Sequence, residues 1–324
     1  MENPLISLII LNWNGKECID ECLESILKTE YNNIEIIVVD NGSTDDSLER
    51  IKKHSRITLL SLKENLGYAA GNNIGFKHAR GKFIATINND VVVDPGWLKQ
   101  PLELFQGDSS IGIIACRQMK YDIRDTIDCL YAYPGKALLF EPMGSGKKYS
   151  HKELYTQPGY VIAAGGAGAI YRKEVLDSLE GFDETYYSYH EESDLCMRAF
   201  LNGWKCAYAP DAIVYHKGSF SFNRIKNTLV FYHERNRIWF IYKFFPWRFI
   251  FKNALGLFIM ELRIIRILFF KRKVVRAYFS ARYHGFRGLK RLRGTRKTFI
   301  HLFMQKQRSY EAIMKNKKLV LFDF

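Results

Sequence analysis

The chain predicts an α/β fold built on a mostly parallel central sheet with helices on both faces. Three features carry the prediction. Short apolar runs of strand length recur through the N-terminal third, and they are continuous rather than alternating, as in strands buried on both faces. Segments with helical spacing separate them, the pattern of βαβ units. Clusters of Asn and Asp follow the runs, at the edge where open sheets of this kind bind ligands.

Ile6–Leu11 is the first run, closed by an Asn12-Trp13-Asn14-Gly15 turn. Lys16–Leu27 then has helical spacing at Cys18, Ile19, Cys22, Leu23 and Ile26. Ile34–Val39 is a second strand. Asp40-Asn41-Gly42-Ser43-Thr44-Asp45-Asp46 follows it, and Ser43 and Asp46 have the spacing of a capping box that opens another helix. Ile57–Leu62, Phe83–Ile87 and Ile111–Cys116 complete the set, and the second of these ends at Asn88-Asn89-Asp90. Each polar cluster alone is also an ordinary turn.

Gly67, Gly71 and Gly75 recur every four residues, so a helix there carries one bare face. That face suits either tight packing on the sheet or room for a flat nucleobase and ribose, and spacing leaves both open. No Gly-Lys-Ser/Thr follows, which excludes a Walker loop, and the spacing is not GxGxxG.

The middle of the chain is less regular. Leu130–Phe140 predicts a hairpin around Pro134-Gly135, residues 144–150 a flexible basic loop, and Val161–Tyr171 strand pairs whose backbones line a cavity. Gly181-Phe182-Asp183-Glu184 is a turn leading to the acidic stretch Tyr189–Arg198. There His190, Glu191, Glu192 and Asp194 precede a helix that buries Leu195, Ala199 and Phe200 and ends at Asn202-Gly203. Acids at a helix N-terminus offset the dipole by roughly 0.3–1 kcal/mol each, so the cluster also has a purely structural reading. Ala207–Tyr208 and Ile213–Tyr215 read as short strands, the second ending at His216.

Apolar residues make up 47 % of the 324, enough for one large core or two domains. The net charge of +14 is divided unevenly: residues 1–216 carry 22 basic and 30 acidic side chains, residues 217–324 carry 26 and 4. That asymmetry marks a boundary near residue 217 and an acidic partner for the tail. The six cysteines form no CxxC pair and are expected as buried thiols. The start has no basic leader and reads as a strand, so a cytoplasmic, reducing compartment fits.

From Phe222 the chain is rich in aromatic and basic residues, but charges such as Lys243, Lys252, Arg263 and Arg266 break every apolar run. None approaches the roughly 18–20 residues of a membrane span. Pro246 separates two helices. Packing on the N-terminal part, RNA binding and an in-plane position on an anionic leaflet compete here. The membrane surface uses both the aromatics and the charges and is the expectation. RNA binding leaves the acidic N-terminal part unexplained, so no nucleic-acid partner is expected.

These residues resemble family 2 glycosyltransferases of the GT-A fold, in particular bacterial rhamnosyltransferase-like members. The matching pieces are SLIILNWNG (7–15), VVDNGSTDDS (38–47), ENLGYAAGNNIG (64–75), NNDVVVDPGWL (88–98), GFDE (181–184), HEESDLCMR (190–198) and VYHKGS (214–219). The likeness covers about residues 4–220, and HERNR at 233–237 is similar to the family's C-terminal extension. It implies a GT-A catalytic domain over 1–221 and a basic helical region over 222–324.

The resemblance also implies site roles. Asp40 would meet the nucleobase, a carboxylate being suited as a pure acceptor to an imide N–H. Asn12, Asn41, Asn65, Gly67, Asn72 and Asn89 would stand beside the base and ribose. The family's Asp-x-Asp reads Asn88-Asn89-Asp90, leaving Asp90 and His216 as ligands of Mg²⁺ or Mn²⁺, with the diphosphate completing the set. Glu192 takes the position of the family's catalytic aspartate, with Glu191 as the alternative base. Asp194 would fix the loop or an acceptor hydroxyl, and Arg198 would pair with Asp194 or with the leaving phosphates. The implied reaction is inverting transfer from dTDP-rhamnose or a UDP-sugar to a glycan or lipid-linked acceptor. The expected place is the cytoplasm, peripheral at the inner face of the cell membrane, with a second copy of the chain as a further candidate partner in a homo-oligomer. The departures at Asn88 and Glu192 leave a second reading, an inactive sugar-nucleotide-binding scaffold.

Overall fold

The continuous apolar runs form strands whose side chains are covered on both faces: Leu8, Ile9, Ile10, Val38 and Val39 are all fully buried. The computed structural model describes residues 3–150, 153–218, 226–270, 274–316 and 320–321. The expected boundary between residues 221 and 222 lies outside the described residues.

The first half runs β1 (Ile6–Asn12), α1 (Ile19–Leu27), β2 (Ile34–Asp40), α2 (Ser47–Ile51), β3 (Ile57–Ser61), α3 (Gly67–His78), β4 (Phe83–Asn88), β5 (Val91–Val93), α4 (Lys99–Gly107) and β6 (Ile111–Lys120). Then come β7 (Ile127–Cys129), β8 (Ala132–Pro134), β9 (Phe140–Pro142), α5 (Glu153–Thr156), β10 (Gly159–Val161), β11 (Gly168–Arg172), α6 (Lys173–Ser178), a 3₁₀ turn (Glu184–Tyr186), α7 (Glu191–Leu201) and β12 (Lys205–His216). The C-terminal part adds α8 (Lys226–Phe244), α9 (Trp247–Lys252), α10 (Ala254–Phe270), α11 (Val275–Gly288), a 3₁₀ turn (Leu289–Leu292), α12 (Arg293–Asn316) and β13 (Val320–Leu321).

The main sheet has the order β13-β10-β12-β6-β11-β4-β1-β2-β3. The ladders make β10 and β11 antiparallel to their neighbours, and the other strands of that path share one direction. The expected hairpin forms as β8 and β9, with Pro134 opposite Phe140.

Several expectations change in detail. α1 begins at Ile19, because residues 16–18 form a turn closed by Cys18 N donating to Gly15 O at 3.0 Å. The Ser43–Asp46 capping box does not form. α2 is led instead by Asp45, whose Oδ1 accepts from Ser47 N at 3.0 Å, while the Ser43 hydroxyl is engaged with Asp40. The two short strands before His216 are one long strand, β12, with its register shifting between Ala209 and Ile213. Pro210, which has no N–H to give a ladder, lies in that break.

The bare face of α3 packs on the sheet. A Cβ on Gly71 would lie 2.5 Å from Leu11 Cδ1, and one on Gly75 would lie 2.4 Å from Ile9 Cγ2. Tight packing therefore accounts for these two glycines, and Gly67 alone reaches the ligand edge.

The C-terminal helices pack on the sheet domain. Phe240, Phe244, Phe299 and Phe303 belong to the same apolar cluster as Phe182, Leu195 and Tyr208. Among the described residues no helix is long and apolar enough to cross a membrane. All six cysteines are buried and unpaired.

Candidate active site

Because β1, β2, β4, β6 and β12 share a direction, their C-terminal ends bring Asn12, Asp40, Asn88 and His216 to one edge of the sheet. The register sets the neighbours: Asn12 is opposite Asp40, and Leu11 is opposite Asn88. β11 runs the other way, so Gly166 and Ala167, just before its start, reach the same edge. A cavity of about 570 Å³ opens there.

Asn41, Asn65, Gly67 and Asn89 line this cavity, as do Asp90, Glu191, Glu192 and His216. Asn41 Nδ2 donates to Asn65 Oδ1 at 3.0 Å and to Gly67 O at 3.1 Å, and Asn65 Oδ1 also accepts Gly67 N at 2.8 Å. These asparagines hold the turn that leads into α3, where Gly67 has φ +88°.

Asn12, Asp40 and Asn72 sit behind the cavity wall, not on it. Asp40 is only 1 % exposed, and its Oδ1 accepts Asn12 Nδ2 at 2.8 Å and Ser43 Oγ at 2.6 Å. Asn12 Oδ1 in turn accepts Asn89 Nδ2 at 2.9 Å. Asn72 Nδ2 is spent on Tyr68 O at 2.9 Å. A buried polar group needs such partners, and here they tie the ends of β1, β2 and β4 into one network.

Asp90 and His216 come together on the far side, with Asp90 Oδ2 3.4 Å from His216 Nε2. The other ring nitrogen, Nδ1, lies 2.8 Å from Asp128 Oδ2. Asp128, on β7, also lines the cavity. Burial opposes a charge on His216, but the hydrogen bonds to Asp128 and Asp90 outweigh it and push the imidazole up to about 10. The donor set fits a divalent cation: one carboxylate, and one imidazole oriented from behind by a second carboxylate. As a ligand His216 would have to release its proton. Among the described residues no trio of His, Cys, Asp and Glu forms a fuller metal set.

The acidic pair opens α7. Glu191 is nearly buried, whereas Glu192 keeps part of its surface on the cavity. A Cβ on Gly166 would lie 2.7 Å from Glu192 Oε1, so the small residues before β11 make room for this carboxylate. Burial raises both pKa values. Glu191 goes up further because it also faces the Glu192 charge, whereas Glu192 is held down by hydrogen bonds from Tyr68 and Glu191. The two carboxylates therefore titrate as one buried pair, with apparent pKa values raised above the usual carboxylate range.

Asp194 and Arg198 do not line the cavity. Asp194 is fully buried between Lys243 Nζ, at 2.6 Å, and Arg198 Nε, at 2.5 Å. Arg198 Nη2 donates to Gly181 O at 2.8 Å. The fold thus spends Arg198 on Asp194 and on the Gly181 turn rather than on phosphates, and Asp194 anchors the helix instead of facing an acceptor.

The segment before the pair is strained. Tyr187, Tyr189 and His190 have φ of +66°, +70° and +71°. Left-handed conformations cost non-glycine residues about 1–3 kcal/mol each, so the surroundings must hold them. Burial, with the nearby charges of His233 and Arg237, keeps His190 well below the usual histidine range and hence neutral. Its Nε2 and Glu191 Oε2 are buried without a hydrogen-bond partner among the described residues.

Sequence reasoning did not single out Tyr68, Asp128, Tyr187 or the α8 residues Thr228, Leu229 and Tyr232 as site residues, and all of them line the cavity. Asp128 lies in the irregular middle, where no periodicity pointed to it. The α8 residues lie beyond the acidic half that held the motifs.

Residues 7–179 match the model of the glycosyl transferase family 2 domain. An uncharacterized glycosyltransferase of Haemophilus influenzae is 39 % identical over 105 residues, which are 31 % of this chain and 32 % of that protein. The glycosyltransferase GlyG of Streptococcus pneumoniae is 31 % identical over 127 residues, covering 38 % of this chain and 42 % of the relative. The matched stretches thus span well under half the length of these relatives. Among solved structures, a mannosyltransferase of Pyrobaculum calidifontis in complex with GDP-Man and Mn²⁺ has a TM-score of 0.54 at 16 % identity, over 97 % of this chain and 84 % of that one. A fragment of Staphylococcus aureus TarS in complex with UDP-GlcNAc has a TM-score of 0.58 at 17 % identity, over 96 % and 91 %. These likenesses show the GT-A fold.

Proposed function

The chain belongs to glycosyl transferase family 2, and on that premise we propose that it moves a sugar from a nucleoside-diphosphate donor to a hydroxyl of a glycan or lipid-linked acceptor, with inversion. One observation carries the reading: a single cavity joins the asparagine cluster, the Asp90–His216 pair and the Glu191–Glu192 pair. Nucleotide binding, charge compensation and proton removal can then occur at one place.

Asn41, Asn65, Gly67 and Asn89 meet the nucleoside, with Asn12, Asp40 and Asn72 stiffening the wall behind them. Asp90 and His216 would hold Mg²⁺ or Mn²⁺, which when bound supplies positive charge against the diphosphate. Glu192 accepts the proton of the acceptor hydroxyl. The acceptor oxygen bonds to the anomeric carbon as the bond from that carbon to the phosphate oxygen breaks, and the nucleoside diphosphate departs from the opposite face. A positioned base of this kind contributes about 10²–10⁴-fold. Glu191 keeps its proton and donates to Glu192. The donor is dTDP-rhamnose or a UDP-sugar, by resemblance.

The proposed place of action is the inner face of a membrane. α10 supports it: Leu255, Phe258, Leu262, Ile265 and Phe269 recur every three or four residues along one side, each between 49 % and 73 % exposed. Arg263 and Arg266 are exposed beside them. An apolar stripe about 21 Å long on a helix flanked by cations suits an anionic bilayer surface.

The test is a panel of UDP-, GDP- and dTDP-sugars with and without Mn²⁺ or Mg²⁺, followed by release of nucleoside diphosphate. Metal-dependent release from one donor, abolished by Glu192→Gln, is expected. Tight nucleotide binding with no release from any donor, even with lipid-linked acceptors present, would favour a scaffold instead.

A further inference from the structure

The strained segment that carries the acidic pair is held from outside the part of the chain that the family model covers. Asn236, on α8, is completely buried. Its Nδ2 shares two N–H donors among three carbonyls, Tyr186 O at 2.9 Å, Ser188 O at 2.8 Å and Tyr189 O at 2.7 Å. Arg235 Nη2 donates to Thr185 O at 3.0 Å and Tyr186 O at 2.8 Å, and its Nε donates to Asn236 Oδ1 at 2.9 Å. These bonds fall on the stretch where Tyr187, Tyr189 and His190 are left-handed.

Asn236, Phe240 and Lys243 recur at helical spacing and so lie along one side of α8. Phe240 touches the His190 ring, with centroids 6.1 Å apart. Lys243 Nζ bonds Asp183 Oδ2 at 2.7 Å and Asp194 Oδ1 at 2.6 Å, one on either side of the strained segment. On the opposite side Tyr187 O accepts Ala69 N at 3.1 Å, and the missing side chain of Gly67 leaves room for the Tyr187 ring.

We propose that Asn236 is a positioning residue for the transfer reaction: it fixes the backbone of residues 186–190, with its positive φ at Tyr187, Tyr189 and His190, and thereby aims Glu192 into the cavity. It touches neither donor nor acceptor. The C-terminal region is on this view a part of the catalytic unit, whatever else it docks to. The part of the proposal that concerns turnover rests on Glu192 being the base; the part that concerns the segment's conformation does not.

The experiment uses the full chain and the variants Asn236→Ala and Asn236→Asp, the second keeping shape and losing the donor. Arg235→Ala, which removes the outer bonds, serves if neither accumulates as folded protein. Amide hydrogen exchange over residues 185–192 is measured by mass spectrometry, UDP binding with Mn²⁺ by calorimetry, and turnover with whichever of the panel's sugar nucleotides the wild type uses.

Exchange in that segment should rise at least tenfold, UDP affinity should stay within about threefold, and kcat should fall at least thirtyfold. Unchanged exchange would overturn the proposal, and so would faster exchange with unchanged kcat. Parallel loss of UDP affinity, kcat and melting temperature would also overturn it, because a general loss of structure would then explain everything. Full turnover by Glu192→Gln would sink the base assignment separately, without altering the exchange result.

Discussion

Replacing Glu191 by Gln separates the two carboxylates. In the wild-type pair burial raises both pKa values, and the mechanism proposed above keeps the proton on Glu191, donating to Glu192. The introduced amide keeps the shape and an N–H donor but cannot ionise. The change at Glu192 is then the difference between a carboxyl O–H and an amide N–H donor, at most one ordinary hydrogen bond of about 0.5–1.5 kcal/mol. At about 1.36 kcal/mol per unit that corresponds to roughly 0.4–1.1 pKa units, upward, because the anion loses its better donor. The sign of the pH effect follows. The base must be charged, so kcat/KM rises with pH through the raised apparent pKa of the pair, and Glu191→Gln moves this acid limb to higher pH by about one unit or less. Plateau kcat should stay within about tenfold. Glu192→Gln should lose about 10²-fold or more at every pH, while UDP affinity is kept. The assay is nucleoside diphosphate release between pH 5 and 9 (about the range over which such limbs show). If Glu191→Gln were as dead as Glu192→Gln across that range, the assignment of proton and charge within the pair would be wrong.

Asp128→Asn should weaken Mn²⁺-supported UDP binding by about 10–100-fold, because Asp128 holds the His216 ring through Nδ1; calorimetry at several Mn²⁺ concentrations measures it. Lys243→Met should cost about 3 kcal/mol in urea unfolding, the lower end for a broken buried pair, since Asp194 retains Arg198. Adding Asp194→Asn to Lys243→Met should recover part of that loss, and strict additivity would deny the coupling. Phe258→Glu with Leu262→Glu should release the protein from vesicles containing anionic lipid. If the wild type ignores such vesicles and light scattering instead shows a dimer that the double variant dissolves, the α10 stripe is a contact between copies.

The strand ends were legible because strand composition is dictated locally: Ile6–Leu11 and Ile34–Val39 must be covered on both faces whatever surrounds them. The ligand edge followed, since parallel strands place their ends together. Less legible was which polar side chains face the cavity. Asn12 and Asp40 occupy the same kind of position as Asn41, yet they turn inward because Ser43, Ser47 and Asn89 satisfy them there. That choice depends on partners from three strand ends and leaves no trace in spacing. The glycines of α3 show the same limit. Their period fixed the bare face, but only the packed helix shows that Leu11 and Ile9 fill it.

The match to the family domain ends at residue 179, yet the site does not end there. Glu192 and His216 lie beyond it, and α8 adds Thr228, Leu229 and Tyr232 to the cavity wall. The C-terminal helices also bury Phe240, Phe244, Phe299 and Phe303 in the core that holds Leu195 of α7, the helix that carries the acidic pair. Removing them would expose that apolar surface, leave Asp183 and Asp194 without Lys243, and free residues 186–190 from Asn236. A basic, aromatic tract that looks separable by charge is therefore continuous with the sheet domain by packing. Charge composition reports what a segment meets on its outside; which interior it shares is decided by the apolar residues between the charges.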